Sequence, residues 1–187
     1  MEFFKAPCNS SGWMTIQRRQ DGSEDFARNY TDYRHGFGNL RGEFFIGLEK
    51  LHQLTKDTAH ELFIKLGKVD GSTSYAHYDN FQIDSEQETY KLKSVGGYSG
   101  NAGDPLSKQV GSKFSTVDMD FKDGCTIHNT GGWWHSSCAY ASVLNGKYYE
   151  NGTGIEYTGI RWTTWETEDT FTLTFTEMMI RPNPDLI

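Results

Sequence analysis

Long apolar runs are missing from this chain. Nothing in its 187 residues approaches the roughly 20 consecutive apolar positions of a membrane-spanning helix, so no membrane insertion is expected. Positive charge is also scarce. Eighteen Lys and Arg stand against 25 Asp and Glu, a formal charge of -7. Binding to a phosphate backbone needs basic stripes, so nucleic acid is excluded as a partner. The doublet Arg18-Arg19 reads as a solvated pair at a strand end. Catalytic signatures are absent too: there is no GxSxG, HExxH or P-loop pattern. The histidines are dispersed, with only His128 and His135 loosely near each other, and the reading is a non-enzyme. A Cys125–His128 nucleophile is conceivable, but a disulfide partner thirteen positions away is the simpler account of that cysteine.

Cysteine is sparse, at Cys8, Cys125 and Cys138. No CxxC or His-rich spacing accompanies them, which leaves zinc weakly supported. Cys125 and Cys138 are close enough in sequence to bridge, whereas Cys8 has no evident partner. Internal repeats and low-complexity tracts are lacking. Met1-Glu2-Phe3-Phe4 has neither a basic n-region nor a long apolar h-region, so a fragment of a longer secreted protein is expected.

What is present suits one loop-rich domain over residues 1–187. Hydrophobic residues make up 36%, aromatic ones 14%, and glycine occurs 20 times. Trp13 to Gln20 reads as a strand closed by Asp21-Gly22. Gly47 to Lys56 places Leu48, Leu51 and Leu54 on one helical face. His60 to Val69 turns Leu62, Ile64 and Leu66 inward, and Asp70-Gly71 signals a hairpin into Thr73 to Ile83. Tyr90 to Val95 forms another short strand. Phe171 to Ile180 alternates, with Phe171, Leu173 and Phe175 set against Thr172, Thr174 and Thr176. That last strand must rejoin the sheet, because a lone terminal strand is marginal. The expected class is α+β: a central antiparallel sheet (12–95 and 171–182), short helices, and a loop-rich lobe over 96–170. A loop region that long is usually functional.

The segment from Asp118 to Gly146, DMDFKDGCTIHNTGGWWHSSCAYASVLNG, concentrates the chemistry. Calcium takes six to eight oxygens from flexible loops. Asp118, Asp120 and Asp123, with carbonyls near Phe121, Lys122 and Gly124, are candidate ligands; a solvated acidic turn is the alternative. Trp133, Trp134 and His135 read either as pocket walls or, for the tryptophans, as core. Trp162 and Trp165 read as packing residues. Three Asn-x-Ser/Thr sequons, at Asn9, Asn29 and Asn151, mark candidate glycosylation sites and hint at secretion.

The runs GWMTIQRRQDGSEDF, YRHGFGNLRGEFFIGLEKLHQLT, YKLKSVGGYSGNAGDPLS, KFST, GGWW, LNGKYY and MMIRP occur in this order. The series closely resembles the fibrinogen C-terminal domain of ficolins, tachylectins, angiopoietins, tenascins and invertebrate fibrinogen-related proteins, from about Gly12 to Pro182. The resemblance implies a secreted, non-enzymatic binding domain whose C-terminal lobe holds a calcium site and a ligand pocket. It implies a Cys125–Cys138 disulfide, whose loop of about 14 residues is worth roughly 3 kcal/mol, and a cis bond at Ser137–Cys138. The family's N-terminal part is mostly lacking here, which accounts for Cys8, and oligomers are expected to form through that region.

Departures from the pattern concern the sites. Only four residues separate Asp120 from Cys125, a shorter loop than the family's. Ala139 replaces the His that commonly follows the second cysteine, with Tyr140 after it, and Glu156 stands where a Tyr is usual, leaving Tyr157 as a shifted substitute. The implied pocket comprises Trp134, His135, Ser137, Cys138, Ala139, Tyr140 and Tyr157. The expected function is a lectin-like pattern-recognition module of innate immunity, binding acetylated or microbial glycans with Ca²⁺ support and gaining avidity through clustering. The alternative is a receptor- or matrix-binding ligand domain of the angiopoietin or tenascin sort.

Overall fold

The last long strand of the protein occupies the middle of its sheet. The computed structural model describes residues 4–121, 131–136 and 141–186. Strand β1 (Met14–Arg19) leads through helix α1 (Tyr30–His35) to the short strands β2 (Phe37–Gly38) and β3 (Phe44–Phe45). Helix α2 (Leu48–Thr55) follows, then β4 (His60–Gly67), β5 (Thr73–Ile83), β6 (Leu92–Ser94) and β7 (Tyr98–Gly100). The lobe carries β8 (Ser142–Val143) and β9 (Arg161–Trp162), and β10 (Phe175–Pro182) is the final strand. The sheet order is β2-β3-β1-β10-β4-β5-β6, with β7 also on β5, and every ladder is antiparallel. The fold is therefore α+β, and β10 is paired along both edges.

Local sequence explains most of these elements. In β4, Leu62, Ile64 and Leu66 are fully buried while Lys65 is exposed, the alternation of a sheet with one covered face. The β4–β5 hairpin closes where Gly71 adopts φ +84°, a left-handed conformation that a side chain would strain. Helix α1 is capped by Asn29, whose side-chain oxygen accepts the Asp32 N–H, and it ends at Gly36. Helix α2 buries Leu48 and Leu51 but leaves Leu54 half-buried.

The C-terminal run does not keep one buried series: Leu173 is fully buried, and so are Thr172 and Thr176 from the opposite series. The ladder begins only at Phe175, and Thr176, Met178, Met179 and Ile180 are its buried positions while Phe171 and Phe175 are half-exposed. Thr172 and Thr176 go inside because each has a buried partner. Thr176 donates to Gln17 Oε1 at 3.0 Å, and Gln17 donates onward to Leu144 O and Asn145 Oδ1 in the lobe. Thr172 accepts the Ile160 N–H at 2.8 Å. A polar seam thus ties sheet to lobe, since buried polar atoms are tolerated only when paired.

Arg19 is a second correction. It is 1% exposed rather than solvated. Its guanidinium lies 3.9 Å over the Phe26 ring and donates to Gly146 O, and Nε sits 3.6 Å from Glu43 Oε1. Burial lowers the Arg19 pKa, opposed by the Glu43 carboxylate. Glu43 in turn accepts the N–H groups of Gln20, Asp21, Gly22 and Glu24, organising the loop after β1. Arg18 is the more exposed member of the doublet, and it bonds Glu177 at 3.0 Å.

The lobe packs around tryptophan. Trp133 and Trp134 are 0% exposed, and Trp134 meets Phe114 edge-on at 5.2 Å. Their indole N–H groups donate to Gln109 Oε1 and Tyr90 O, so both are satisfied. Gly132 permits this approach: a Cβ there would lie 2.7–2.8 Å from the Phe114 and Tyr33 rings. Trp162 is also core, while Trp165 is half-buried beneath Lys68.

Candidate functional site

Two segments about twenty residues apart are brought together by one short pairing. Ser115 N–H donates to Trp133 O at 2.9 Å and Trp133 N–H returns to Ser115 O at 3.1 Å. Lys113 and His135 each lie two residues from that bridge and line one cavity. Between them opens a cavity of about 520 Å³ lined by Val110, Gly111, Ser112, Lys113, Phe121, His135 and Ser136. The Lys113 ammonium stands 4.8 Å over the Phe121 ring at its side.

His135 distinguishes this cavity. It is 1% exposed, and among the described residues neither ring nitrogen has a hydrogen-bond partner. Burial pushes its pKa down to about 4, opposed by the nearby Gly131 carbonyl and Asp120. At neutral pH the imidazole is therefore uncharged and presents one donor and one acceptor. An unpaired buried polar group costs about 1–3 kcal/mol, which a ligand hydrogen bond would recover once a shift of the ring or its cover opened a nitrogen, both being closed to solvent here.

A larger cavity, about 700 Å³, lies between the loop after β1 and residues 145–150. Its deep groups are already engaged within the protein: Glu43 by four backbone donors, Arg19 by Gly146, Phe26 and Glu43. Size alone therefore does not locate the site: at the larger cavity Arg19 Nε makes no hydrogen bond but lies 3.6 Å from the Glu43 carboxylate, whereas at the smaller one neither ring nitrogen of His135 has a hydrogen-bond partner among the described residues.

The acidic loop is fastened to the sheet half. Thr116 and Met119 exchange backbone hydrogen bonds, and Asp118 Oδ1 accepts both the Tyr30 N–H at 3.0 Å and the Thr116 hydroxyl at 2.7 Å. One carboxylate oxygen of Asp118 is thus held by the protein. Phe121 is 38% exposed and Asp120 is half-buried. Among the described residues no group of three or more His, Cys, Asp or Glu side chains converges. Lys122, Asp123 and Gly124 lie outside the described residues.

The other expected pocket residues separate. Trp134 offers no exposed ring face and belongs to the core, a correction to its reading as a pocket wall. Tyr157 does not line the His135 cavity. It adopts φ +64°, donates to Asp169 Oδ2 at 2.8 Å and lies under the Arg161 guanidinium at 5.0 Å. Ser137, Cys138, Ala139 and Tyr140 lie outside the described residues, and with them the Cys125–Cys138 disulfide and the Ser137–Cys138 bond. Cys8 is exposed, and among the described residues it forms no disulfide. Sequence reading missed Val110, Gly111, Ser112, Lys113 and Ser136; the only signal was the run KFST facing GGWWH, which becomes informative once Ser115 is known to pair with Trp133.

A family profile described as fibrinogen beta and gamma chains, C-terminal globular domain, matches residues 3–183. Among curated proteins, the chain is 40% identical over 182 residues to mouse fibrinogen C domain-containing protein 1, covering 93% of this chain and 39% of that protein. It is 44% identical over 144 residues to mouse angiopoietin-related protein 6, covering 75% of this chain and 31% of the relative. Rat tenascin-R is 40% identical over 178 residues, covering 93% of this chain and 12% of the relative. The chain thus spans less than half the length of these relatives. Among solved structures, the fibrinogen-like globe domain of human ANGPTL2 superposes with a TM-score of 0.87 at 38% identity, covering 92% of this chain and 81% of that one. Lamprey fibrin D-dimer, complexed with the peptide ligand Gly-His-Arg-Pro-amide, superposes with a TM-score of 0.86 at 32% identity, covering 96% and 64%.

Proposed function

The protein belongs to the family of the C-terminal globular domain of fibrinogen beta and gamma chains, and from that premise we propose that it is an extracellular recognition domain that binds a polypeptide ligand through its lobe. It is not an enzyme, as its family is non-enzymatic. The observation that carries the reading is His135: buried, neutral and, among the described residues, without a hydrogen-bond partner at the wall of a cavity of about 520 Å³. A donor–acceptor pair of this kind suits an amide, which offers one of each. Val110, Val117, Met119 and Phe121, all 38–51% exposed, supply apolar surface along the same stretch of sequence, in keeping with the mixed character of protein-binding surfaces. The peptide carried by the lamprey relative supports the same ligand class.

A second reading, recognition of acetylated glycans, is favoured by the hydroxyls of Ser112 and Ser136 beside His135. An acetamido group also presents one donor and one acceptor. Extracellular localisation and multivalent display belong to the proposal, and no step of recognition is routed through calcium.

The test is calorimetric titration of the protein with Gly-His-Arg-Pro-amide, N-acetylglucosamine and N-acetyl-lysine, each in Ca²⁺ and in EDTA. Peptide binding that His135→Phe weakens at least tenfold supports the polypeptide reading. Binding of the acetylated probes alone would replace it with the glycan reading. If His135→Phe leaves every titration unchanged, the cavity is not the site.

A further inference from the structure

We propose that Asn9 and Asn151 are acceptors for N-linked oligosaccharide, whereas Asn29 serves as a helix cap and stays unmodified. The inference rests on the extracellular reading above, because the donor, a lipid-pyrophosphate-linked oligosaccharide, is met only on the secretory route.

The sequons alone do not separate the three. Their geometry does. At Asn9 the side-chain oxygen accepts the N–H of Ser11, two residues on, at 3.0 Å, and that of Trp13 at 3.1 Å. At Asn151 the side-chain oxygen accepts the N–H of Thr153, again two residues on, at 3.2 Å. Both are Asx-type turns, in which the residue supplying the backbone donor is also the Ser or Thr of the sequon. Turning the amide oxygen inward leaves the amide nitrogen facing away; all three asparagines are exposed, so the turn and not exposure separates them. Each sits outside the β-strands: Gly12 N–H closes the turn onto Asn9 O, and Gly152 N–H bonds Tyr149 O beside Asn151.

Asn29 is built differently. Its oxygen accepts from Asp32, three residues on, and its sequon continues into α1. Tyr30, the middle residue, is 9% exposed, and its N–H is held by Asp118 at 3.0 Å. Sequon and helix start are the same residues here, so a domain that has folded offers no turn for transfer.

In the transfer the amide nitrogen attacks the anomeric carbon of the donor sugar. The bond from that carbon to the pyrophosphate oxygen breaks, the lipid pyrophosphate departs with the bonding pair, and the amide proton passes to a base on the transferase. No redox partner is needed. The N–H held on the amide oxygen stabilises the charge that gathers there as the nitrogen loses its proton, the same logic as an oxyanion donor.

The experiment expresses the 187-residue protein behind a secretory leader in eukaryotic cells and compares intact masses before and after amide-cleaving glycosidase. The expected wild type carries two glycans. Asn9→Gln and Asn151→Gln each remove one, and the double variant carries none. Asn29→Gln keeps both and melts at lower temperature. A secreted product without glycans, or a glycan lost in Asn29→Gln, overturns the assignment. Because the leader supplies entry to the pathway, retention of the natural full-length protein inside cells would instead count against the extracellular reading alone.

Discussion

At His135 desolvation decides the charge, and the sign of the pH effect follows. The unfolded imidazole titrates near 6.5, while the buried one is held down to about 4. Between those values the unfolded state binds a proton that the folded state does not, so stability is present above pH 6.5 and is lost as pH falls toward 4. The loss attributable to this residue is about 3 kcal/mol at ~1.4 kcal/mol per pH unit. His60, also lowered by burial, adds to the slope in the same direction. Urea midpoints at pH 7 and pH 4 should therefore fall further apart in wild type than in His135→Gln; equal differences would show that the ring is not held neutral. Asp118 acts locally in another way. Through Tyr30 N–H and the Thr116 hydroxyl it links lobe to helix, so Asp118→Ala should cost about 1–2 kcal/mol. The melting temperature should drop by ~2–6 °C, equally in EDTA and in Ca²⁺. No drop in EDTA would make the residue's role something other than structural. Asp70-Gly71 and the alternation of His60–Gly67 were readable because each depends on near neighbours in sequence. The burial of Arg19 was not, because Glu43, Phe26 and Gly146 reach it from three separate segments.

The elements show where pairing creates the site. The Ser115–Trp133 exchange is a single two-bond bridge, yet it carries Lys113 to His135 and orders one wall of the cavity. It depends on Gly132, whose missing side chain lets the tryptophan segment approach Phe114 and Tyr33. Gly132→Ala would press a methyl group into both rings. The expected cost is about 1–3 kcal/mol, accompanied by weaker ligand binding as the bridge shifts. Thermal unfolding with parallel titration checks this: a variant as stable as wild type and equally competent would show that the close approach is dispensable. The C-terminal run left its inward face open for a related reason. Alternation in sequence shows that two faces differ, but not which one meets the core, and Thr172 and Thr176 face inward because Ile160 and Gln17 offer hydrogen bonds.

For the molecule as a whole, the position of β10 is the controlling feature. It pairs with β1 on one side and β4 on the other, so residues far apart in sequence complete one sheet. Removing residues 175–187 would leave β1 and β4 without their common neighbour and strip the core of the buried Met178 and Ile180. The truncated protein should lack a cooperative melting transition by circular dichroism, and a sharp transition in it would show that the sheet closes without β10.

The sequence by itself determined the family, the α+β class, the helix at Leu48–Thr55, the β4–β5 hairpin and the non-enzymatic character, because ordered motifs and short-range periodicity encode them directly. Only the tertiary structure decided that Trp134 is core rather than wall, that Arg19, Thr172 and Thr176 lie inside, and that Val110–Lys113 meet His135. Those outcomes turn on burial and on hydrogen bonds between segments far apart in sequence, and neither quantity is a property of any local stretch of residues.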